Sequence, residues 1–345
     1  MPATRPRLAD DLARLPARGV VSTVVCLEDS VADEDLPAAE ENAVEQLRLL
    51  AAADDPHPAL LFLRPRRPDQ LVDLVRRLGE AASGVDGFAL PKFDGATAAR
   101  WFAAVAAAES AAGRRFAVMP ILETAPLLRL ETRRRALAAV RRALEAQRDR
   151  VLAVRIGATD LSALHGLRRP PDLTIWDVGV VAGFLADAVN VLGRADGTGF
   201  TITGSVWEHY SPSERLFKPL LRESPFAGSD ARALRRRIVR DDLDGLIREV
   251  VLDAANGLTG KTVIHPEHVA VVHALSVVPA EEHADALDIL AAGGGGATAS
   301  RYGNKMNEAG PHRAWAQRTL TAARMFGVAR EGVGLPELLA AQAPA

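Results

Sequence analysis

The sequence predicts an α/β fold on a parallel sheet. Seven short runs are almost continuously apolar, the signature of strands covered on both faces, and each breaks off at polar or charged residues. Longer stretches with apolar residues at helical spacing separate these runs, so strands and helices alternate. A (β/α)8 barrel and an open doubly wound sheet both satisfy this pattern, and a barrel requires one strand more than the seven.

In chain order, residues 8–15 have a helical pattern, and 22–27 form the first strand, ending in Glu28-Asp29-Ser30. A helix over 40–53 leads to a strand over 59–63 that ends in Arg64, then a helix over 69–82 with Asp69 as its cap after Pro68. Strand 85–90 ends in Pro91-Lys92, helix 96–112 follows, and the fourth strand runs from Phe116 to Glu123-Thr124. Helix 129–148, strand 151–156 and helix 177–192 come next, then strand 199–206 before Trp207-Glu208-His209. A largely helical stretch over 230–256 precedes strand 260–264, which ends in His265-Pro266. Pro2-Ala3-Thr4-Arg5-Pro6 reads as a βα loop with no strand ahead of it, so the missing strand is expected before Met1 and the start reads as truncated. The barrel is expected to span 1–278. Residues 279–345 form a helical extension: helix 279–290, the glycine run at Gly293, a polar stretch, and a helix over 312–326. The glycine run is a linker or the hinge of a lid.

The 345 residues are 48% hydrophobic and 25% charged with a net charge of -2, enough for one large α/β domain plus an extension. Aromatics make up 5% and no basic stripe interleaves with them, which excludes a nucleic-acid groove. No apolar run approaches the ~20 residues of a membrane helix. The first ten residues lack a secretory h-region, so a soluble cytoplasmic protein is expected. The single cysteine, Cys26, sits in an apolar run and reads as a small core residue. Of the 42 basic residues, the densest run, Arg133 to Arg142, reads as a solvated helix face.

Chemistry is expected where strands end, because polar residues at the C-terminal ends of barrel strands sit at the mouth. Glu123 and Asp160 each follow an apolar run. If their strands are neighbours, about 4.8 Å apart, the two carboxylates could close on one hard divalent cation such as magnesium. His265 and His268 lack the spacing of a zinc site and read as orienting or structural residues.

Taken together, the strand ends read Leu27-Glu28-Asp29, Arg64, Leu90-Pro91-Lys92, Ile121-Leu122-Glu123-Thr124, Gly157-Ala158-Thr159-Asp160-Leu161 and Gly260-Lys261-Thr262-Val263-Ile264-His265-Pro266. This series resembles the citrate lyase β-subunit-like branch of the HpcH/HpaI aldolase superfamily, and within it the carbon–carbon bond lyases of the TIM-barrel fold. The resemblance covers roughly residues 2–327. It implies a (β/α)8 TIM barrel and a magnesium-dependent lyase or aldolase, with manganese as the alternative ion. It also implies a small carboxylate or its coenzyme A thioester as substrate, and a homo-oligomer, a trimer or a multiple of one. It implies that Glu123 and Asp160 bind the metal, that Arg64 binds substrate carboxylate or enolate oxygen, and that Lys92 stands in the Leu-Pro-Lys motif. It further implies that Glu28 and Asp29 support the site and that Arg5 lies near the mouth.

In thioester-using members a C-terminal acid acts in the neighbouring subunit. The similar stretch here is Asn304-Lys305-Met306-Asn307-Glu308-Ala309-Gly310-Pro311, with Glu308 where Asp is usual. Other departures are Phe93-Asp94-Gly95 after Leu-Pro-Lys and the long segment from Ser205 to Leu220, which contains Phe217-Lys218-Pro219-Leu220 and could tailor a different pocket. Two competing readings are a class II-type aldolase on a free 2-oxo acid and a non-catalytic barrel kept as a binding or assembly partner. A Schiff-base role for Lys92 is a third chemistry that the carboxylate pair disfavours.

Overall fold

The structure, a computed structural model, describes residues 1–53, 59–210, 243–292 and 296–341. The segment Phe217-Lys218-Pro219-Leu220, the glycines Gly293 to Gly295 and the part of the expected helix before Leu243 lie outside the described residues. The chain divides into two compact units: Met1–His209 with Leu252–Val269, and Tyr210–Val251 with Ala270–Ala345.

In the first unit, β1 (Ser22–Cys26), β2 (Leu60–Arg64), β3 (Gly87–Leu90), β4 (Ala117–Leu122) and β5 (Arg155–Ile156) form one sheet in sequence order, every pair parallel. A bridge from Val154 to Ile202 continues the series to β6 (Gly204–Trp207), which pairs in parallel with β7 (Lys261–Val263). An open doubly wound sheet reverses its strand order at a switch point. No reversal occurs among the described strands, so their order is that of a (β/α)8 barrel.

The place ahead of β1 is taken by the first residues themselves. Pro2 bridges Cys26 in parallel, Ala3 N–H donates to Cys26 O at 3.0 Å, and Cys26 N–H donates to Met1 O at 2.8 Å. Residues 1–3 are therefore a stave beside β1 rather than part of a loop, which corrects the sequence expectation. A run of three residues ahead of a proline-rich segment is too short to show strand periodicity.

The helices of this unit are α1 (Leu8–Arg14), α2 (Leu36–Ala51), α3 (Pro68–Leu78), α4 (Ala98–Ala112), α5 (Ala125–Leu128), α6 (Leu130–Glu145), α7 (Ala158–Ala163) and α8 (Gly179–Leu192). Strand residues alternate between two faces. Val25, Leu27, Leu61, Leu63, Phe88, Leu90, Val118, Leu122, Val154 and Ile156 join the core that the helices cover. Their neighbours Cys26, Arg64 and Arg155 therefore face the concave side.

Two expectations fail at helix detail. Asp69 is not the cap of α3: Arg67 holds the N-cap position, and Asp69 lies in the first turn, accepting from Arg67 Nε at 3.3 Å. Pro68 at the first helical position sets the start instead. The arginine run of α6 is not uniformly solvated either. Arg133 is buried and donates to Asp187 Oδ2 at 3.0 Å and to the Leu128 carbonyl. Its guanidinium satisfies a carbonyl freed where α5 ends, a role that helical periodicity cannot reveal.

In chain order α9 (Leu243–Ala255) and α10 (Glu267–Ser276) follow. In the second unit, α11 (Ala280–Ala291) packs on α12 (Ala309–Phe326) through Ala286, Ile289 and Ala316. A hairpin of β8 (Ala297–Ala299) and β9 (Met306–Glu308) joins them. Asp285, fully buried on α11, accepts from Ser300 Oγ at 2.7 Å and Asn307 Nδ2 at 2.8 Å, and pairs with Lys305 Nζ at 2.9 Å. Hydrogen bonds to a charged group are each worth about 1.5–3 kcal/mol. Asp285→Ala should therefore free the hairpin and raise amide exchange over residues 297–308, with β1–β4 unaffected; unchanged exchange there would remove this anchor.

Candidate active site

The polar residues that end the strands meet at one rim. Arg64 closes β2 and Glu123 follows β4 directly. Arg64 Nη2 pairs with Glu28, with Asp29 Oδ2 at 3.1 Å and with Glu123 Oε1 at 3.4 Å. Lys92 follows β3 with φ of +48°, the one non-glycine residue among those described in the left-handed region. That conformation is costly for a side-chain-bearing residue and concentrates at functional sites. It turns the Lys92 backbone N–H onto Glu123 Oε1 at 2.7 Å. The Lys92 ammonium pairs with Asp160 Oδ1, and lies 3.8 Å from Glu123 Oε1, 3.7 Å from Glu28 Oε1 and 3.6 Å from Asp29 Oδ2.

Asp160 reaches this point from the first turn of α7, not from a strand end. The apolar run 151–156 is regular over Arg155–Ile156, with Val151 and Val154 as isolated bridges. A short helix then carries the carboxylate forward.

Glu123 is 3% exposed. Burial, against the opposing charge of Arg64 and with the added repulsion of Asp160, pushes its carboxyl up to about 7. Burial also raises Glu28, with Arg64 opposing. Asp29 stays below the usual range: burial works against this, but a hydrogen bond from Glu28 and the charges of Lys92 and Arg64 prevail. Lys92 is held above its ordinary value despite burial, by its bond to Asp160 and the charge of Glu123. Arg64 Nε and Thr124 Oγ1 are buried without a hydrogen-bond partner among the described residues. Buried polar groups left without a partner call for a ligand, an ion or water.

The structure thus brings together Arg64, Lys92, Glu28, Asp29, Glu123 and Asp160. It does not bring Arg5 to them: Arg5 is exposed and pairs with Asp11 Oδ2 at 2.6 Å. Glu308 belongs to the second unit, at the N-cap position of α12, where its backbone N–H donates to His312 Nδ1 at 3.1 Å. Cys26 is partly buried on the concave face, level with Arg64, rather than in the helix-covered core. His265 and His268 lie with ring centroids 5.7 Å apart, and burial lowers His268 to about 4. Glu208 accepts from Thr159 Oγ1 at 2.8 Å, which ties the Trp207-Glu208-His209 stretch to the residue beside Asp160.

Two contributors were missed. Gly157 is the contact surface for Glu123: a Cβ there would lie 2.1 Å from Glu123 Oε2. Arg155 lies on the concave face, and its signal was a charge in the middle of an apolar run.

The chain matches, over residues 1–328, the family described as C-C bond lyase of the TIM-barrel fold. The chain belongs to that family. No curated protein sequence matches it. Among solved structures it is similar to CitE from Mycobacterium tuberculosis, in complex with magnesium, acetoacetate and coenzyme A, at 25% identity and a TM-score of 0.56, covering 94% of this chain and 96% of that one. The fold is shared with a citrate lyase from Burkholderia xenovorans LB400, at 16% identity and a TM-score of 0.61, over 96% and 92% of the two chains. It is also shared with the Haloferax volcanii malate synthase magnesium/glyoxylate complex, at 17% identity and a TM-score of 0.52, over 78% and 71%. Among the described residues of this lyase-family chain no helix is long and apolar enough to cross a membrane.

Overpacking of this kind costs about 1–3 kcal/mol. Gly157→Ala should destabilise the protein by that amount in chemical denaturation, whereas Gly84→Ala, with open space around it, should be nearly neutral. Equal effects would remove the Glu123–Gly157 contact.

A pH effect follows from Glu123. Its folded value lies above the unfolded one, so between about 4.5 and 7 the folded state holds the proton that the unfolded chain has lost. Metal-free protein should lose on the order of 1–3 kcal/mol of stability as pH rises through that window. Glu123→Gln should flatten this slope in denaturation measured from pH 4 to 8.

Proposed function

We propose that this protein cleaves or forms a carbon–carbon bond next to a carbonyl, on a small carboxylate or its acyl thioester, with magnesium held by Glu123 and Asp160. The observation that carries this reading is the convergence of those two carboxylates on one cation beside the Arg64 guanidinium. In the structure that cation is the Lys92 ammonium. The donor set suits a hard divalent ion, which takes oxygen ligands. Among the described residues no group of three or more His, Cys, Asp or Glu is arranged to hold a metal. Magnesium bound through one or two carboxylates plus substrate and water does not require such a group. Lys92 has Glu28 and Asp29 within 3.7 Å, so it keeps carboxylate partners on yielding Asp160. The M. tuberculosis relative, with its magnesium, acetoacetate and coenzyme A, supports the same assignment.

Cleavage beside a carbonyl leaves an electron pair on the carbonyl oxygen of one fragment as an enolate. Bound magnesium supplies Lewis-acid stabilisation of that charge, worth several kcal/mol. Arg64, whose Nε has no internal partner, is the guanidinium that would bind a carboxylate or the developing enolate. Glu28 and Asp29 hold Arg64 in place through Nη2. Lys92 stays protonated among four carboxylates, which favours electrostatic support and disfavours Schiff-base chemistry, since that needs a neutral amine. The proton transfer is assigned to Glu308 of a second copy of the chain in a homo-oligomer, on the likeness of residues 304–311 to the tail pattern of thioester-using members. Arg5 is assigned no role in the chemistry.

Calorimetric magnesium titration tests the metal assignment. Wild type should bind one ion, and Glu123→Ala and Asp160→Asn should each weaken binding by roughly 10-fold or more. Cleavage assays on acyl thioesters and on free 2-oxo acids, run on wild type, Glu308→Gln and a chain ending before Gly293, identify the substrate form and the proton donor. Equal magnesium binding by wild type and Glu123→Ala would remove the metal site, and full activity of the shortened chain would dismiss Glu308.

A further inference from the structure

Arg155 is a charged side chain in the barrel interior that the chemistry above does not use. Its neighbours Val154 and Ile156 belong to the core under the helices, so Arg155 points the opposite way. Its contact proves the direction. Arg155 Nη2 donates to Thr262 Oγ1 on β7 at 2.9 Å, and β6 stands between β5 and β7 in the sheet order. A side chain can reach past an intervening strand only across the concave face.

The guanidinium lies deep among protein atoms, yet the residue keeps accessible surface, as a group lining a recess does. Burial and the charge of Arg64 lower it to about 10, against the pull of Glu123. Among the described residues no carboxylate pairs with it, and Thr262 takes one of its five donors. This is unlike Arg64, which has three carboxylate partners. A buried charge without a partner is costly unless a ligand supplies the counter-charge. The register sets its place on the strand. Arg155 lies opposite Ile121, two residues before Glu123, so its backbone sits about 6–7 Å back along the strand from that of Glu123.

We propose that Arg155 is a specificity-determining residue that binds a carboxylate of the substrate remote from the reacting carbonyl. The substrate would then carry a second acid group on the concave face, a few bonds from the oxygen held beside Glu123 and Arg64. This rests on the carboxylate-lyase reading above, but it is tested by a separate quantity.

The test is calorimetric binding of succinate and of propionate, each in magnesium and again in chelator, to wild type, Arg155→Gln and Arg155→Lys. Wild type should favour the diacid by about 10-fold or more, the scale of one charge-assisted fork. Arg155→Gln should bring that ratio close to one. Arg155→Lys, which keeps the charge but loses the fork, should fall between. A purely structural arginine would leave the ratio unmoved and destabilise the protein when lost. The proposal expects Arg155→Gln to melt at or above the wild-type temperature, because it removes an unpaired buried charge. An unchanged ratio in Arg155→Gln, or no diacid preference in wild type, overturns the proposal. Loss of the magnesium dependence alone, with the ratio still controlled by Arg155, would instead count against the metal assignment.

Discussion

The site depends on keeping one carboxylate, that of Glu123, almost out of water. Three neighbouring residues make this possible, Lys92 through both its backbone and its side chain. Arg64 lies 3.4 Å from Oε1, the Lys92 backbone N–H donates to the same oxygen at 2.7 Å, the Lys92 ammonium stands 3.8 Å away, and Gly157 leaves room for Oε2. A buried carboxylate needs hydrogen bonds and opposite charge to remain tolerable. Each neighbour comes from a different strand end, so the arrangement exists only when β2, β3, β4 and β5 are in register.

That dependence explains where the chain breaks local rules. Lys92 takes a left-handed backbone conformation without being glycine, and Arg155 interrupts an apolar strand. Both departures face the concave side, where the barrel has to be polar to do chemistry. Local cost concentrated at a functional site, with regular packing elsewhere, is how natural proteins usually distribute strain. The helix-covered face shows the regular part: Val25, Leu63, Phe88 and Val118 form a continuous apolar layer.

The second unit has its own polar centre in Asp285. Lys305 and Asn307, which sit in the stretch similar to the tail of thioester-using lyases, both bond to it. Two residues of that stretch therefore build the hairpin, and Glu308 is left at its end, exposed, at the start of α12. Asn307, which anchors the hairpin, and the exposed Glu308 are consecutive residues.

Much of this was legible in the chain alone. Apolar runs predicted β1 to β7, because strands covered on both faces must be apolar whatever their partners. The order of polar strand ends placed Arg64, Lys92 and Glu123 at one rim, since residues at that position face the mouth of any such barrel, whereas Asp160 joins them from the first turn of α7. Other features are written in no local pattern. The stave at residues 1–3 is defined by pairing with Cys26, and the burial of Arg133 by a carbonyl at the end of α5. The pairing of Arg5 with Asp11, the space at Gly157 and the inward reach of Arg155 to Thr262 depend likewise on residues brought close by folding. Periodicity determines which side of an element meets apolar neighbours. Which charge meets which, and which is left without a partner, was decided by the tertiary structure, because electrostatic pairing depends on distances between segments far apart in sequence.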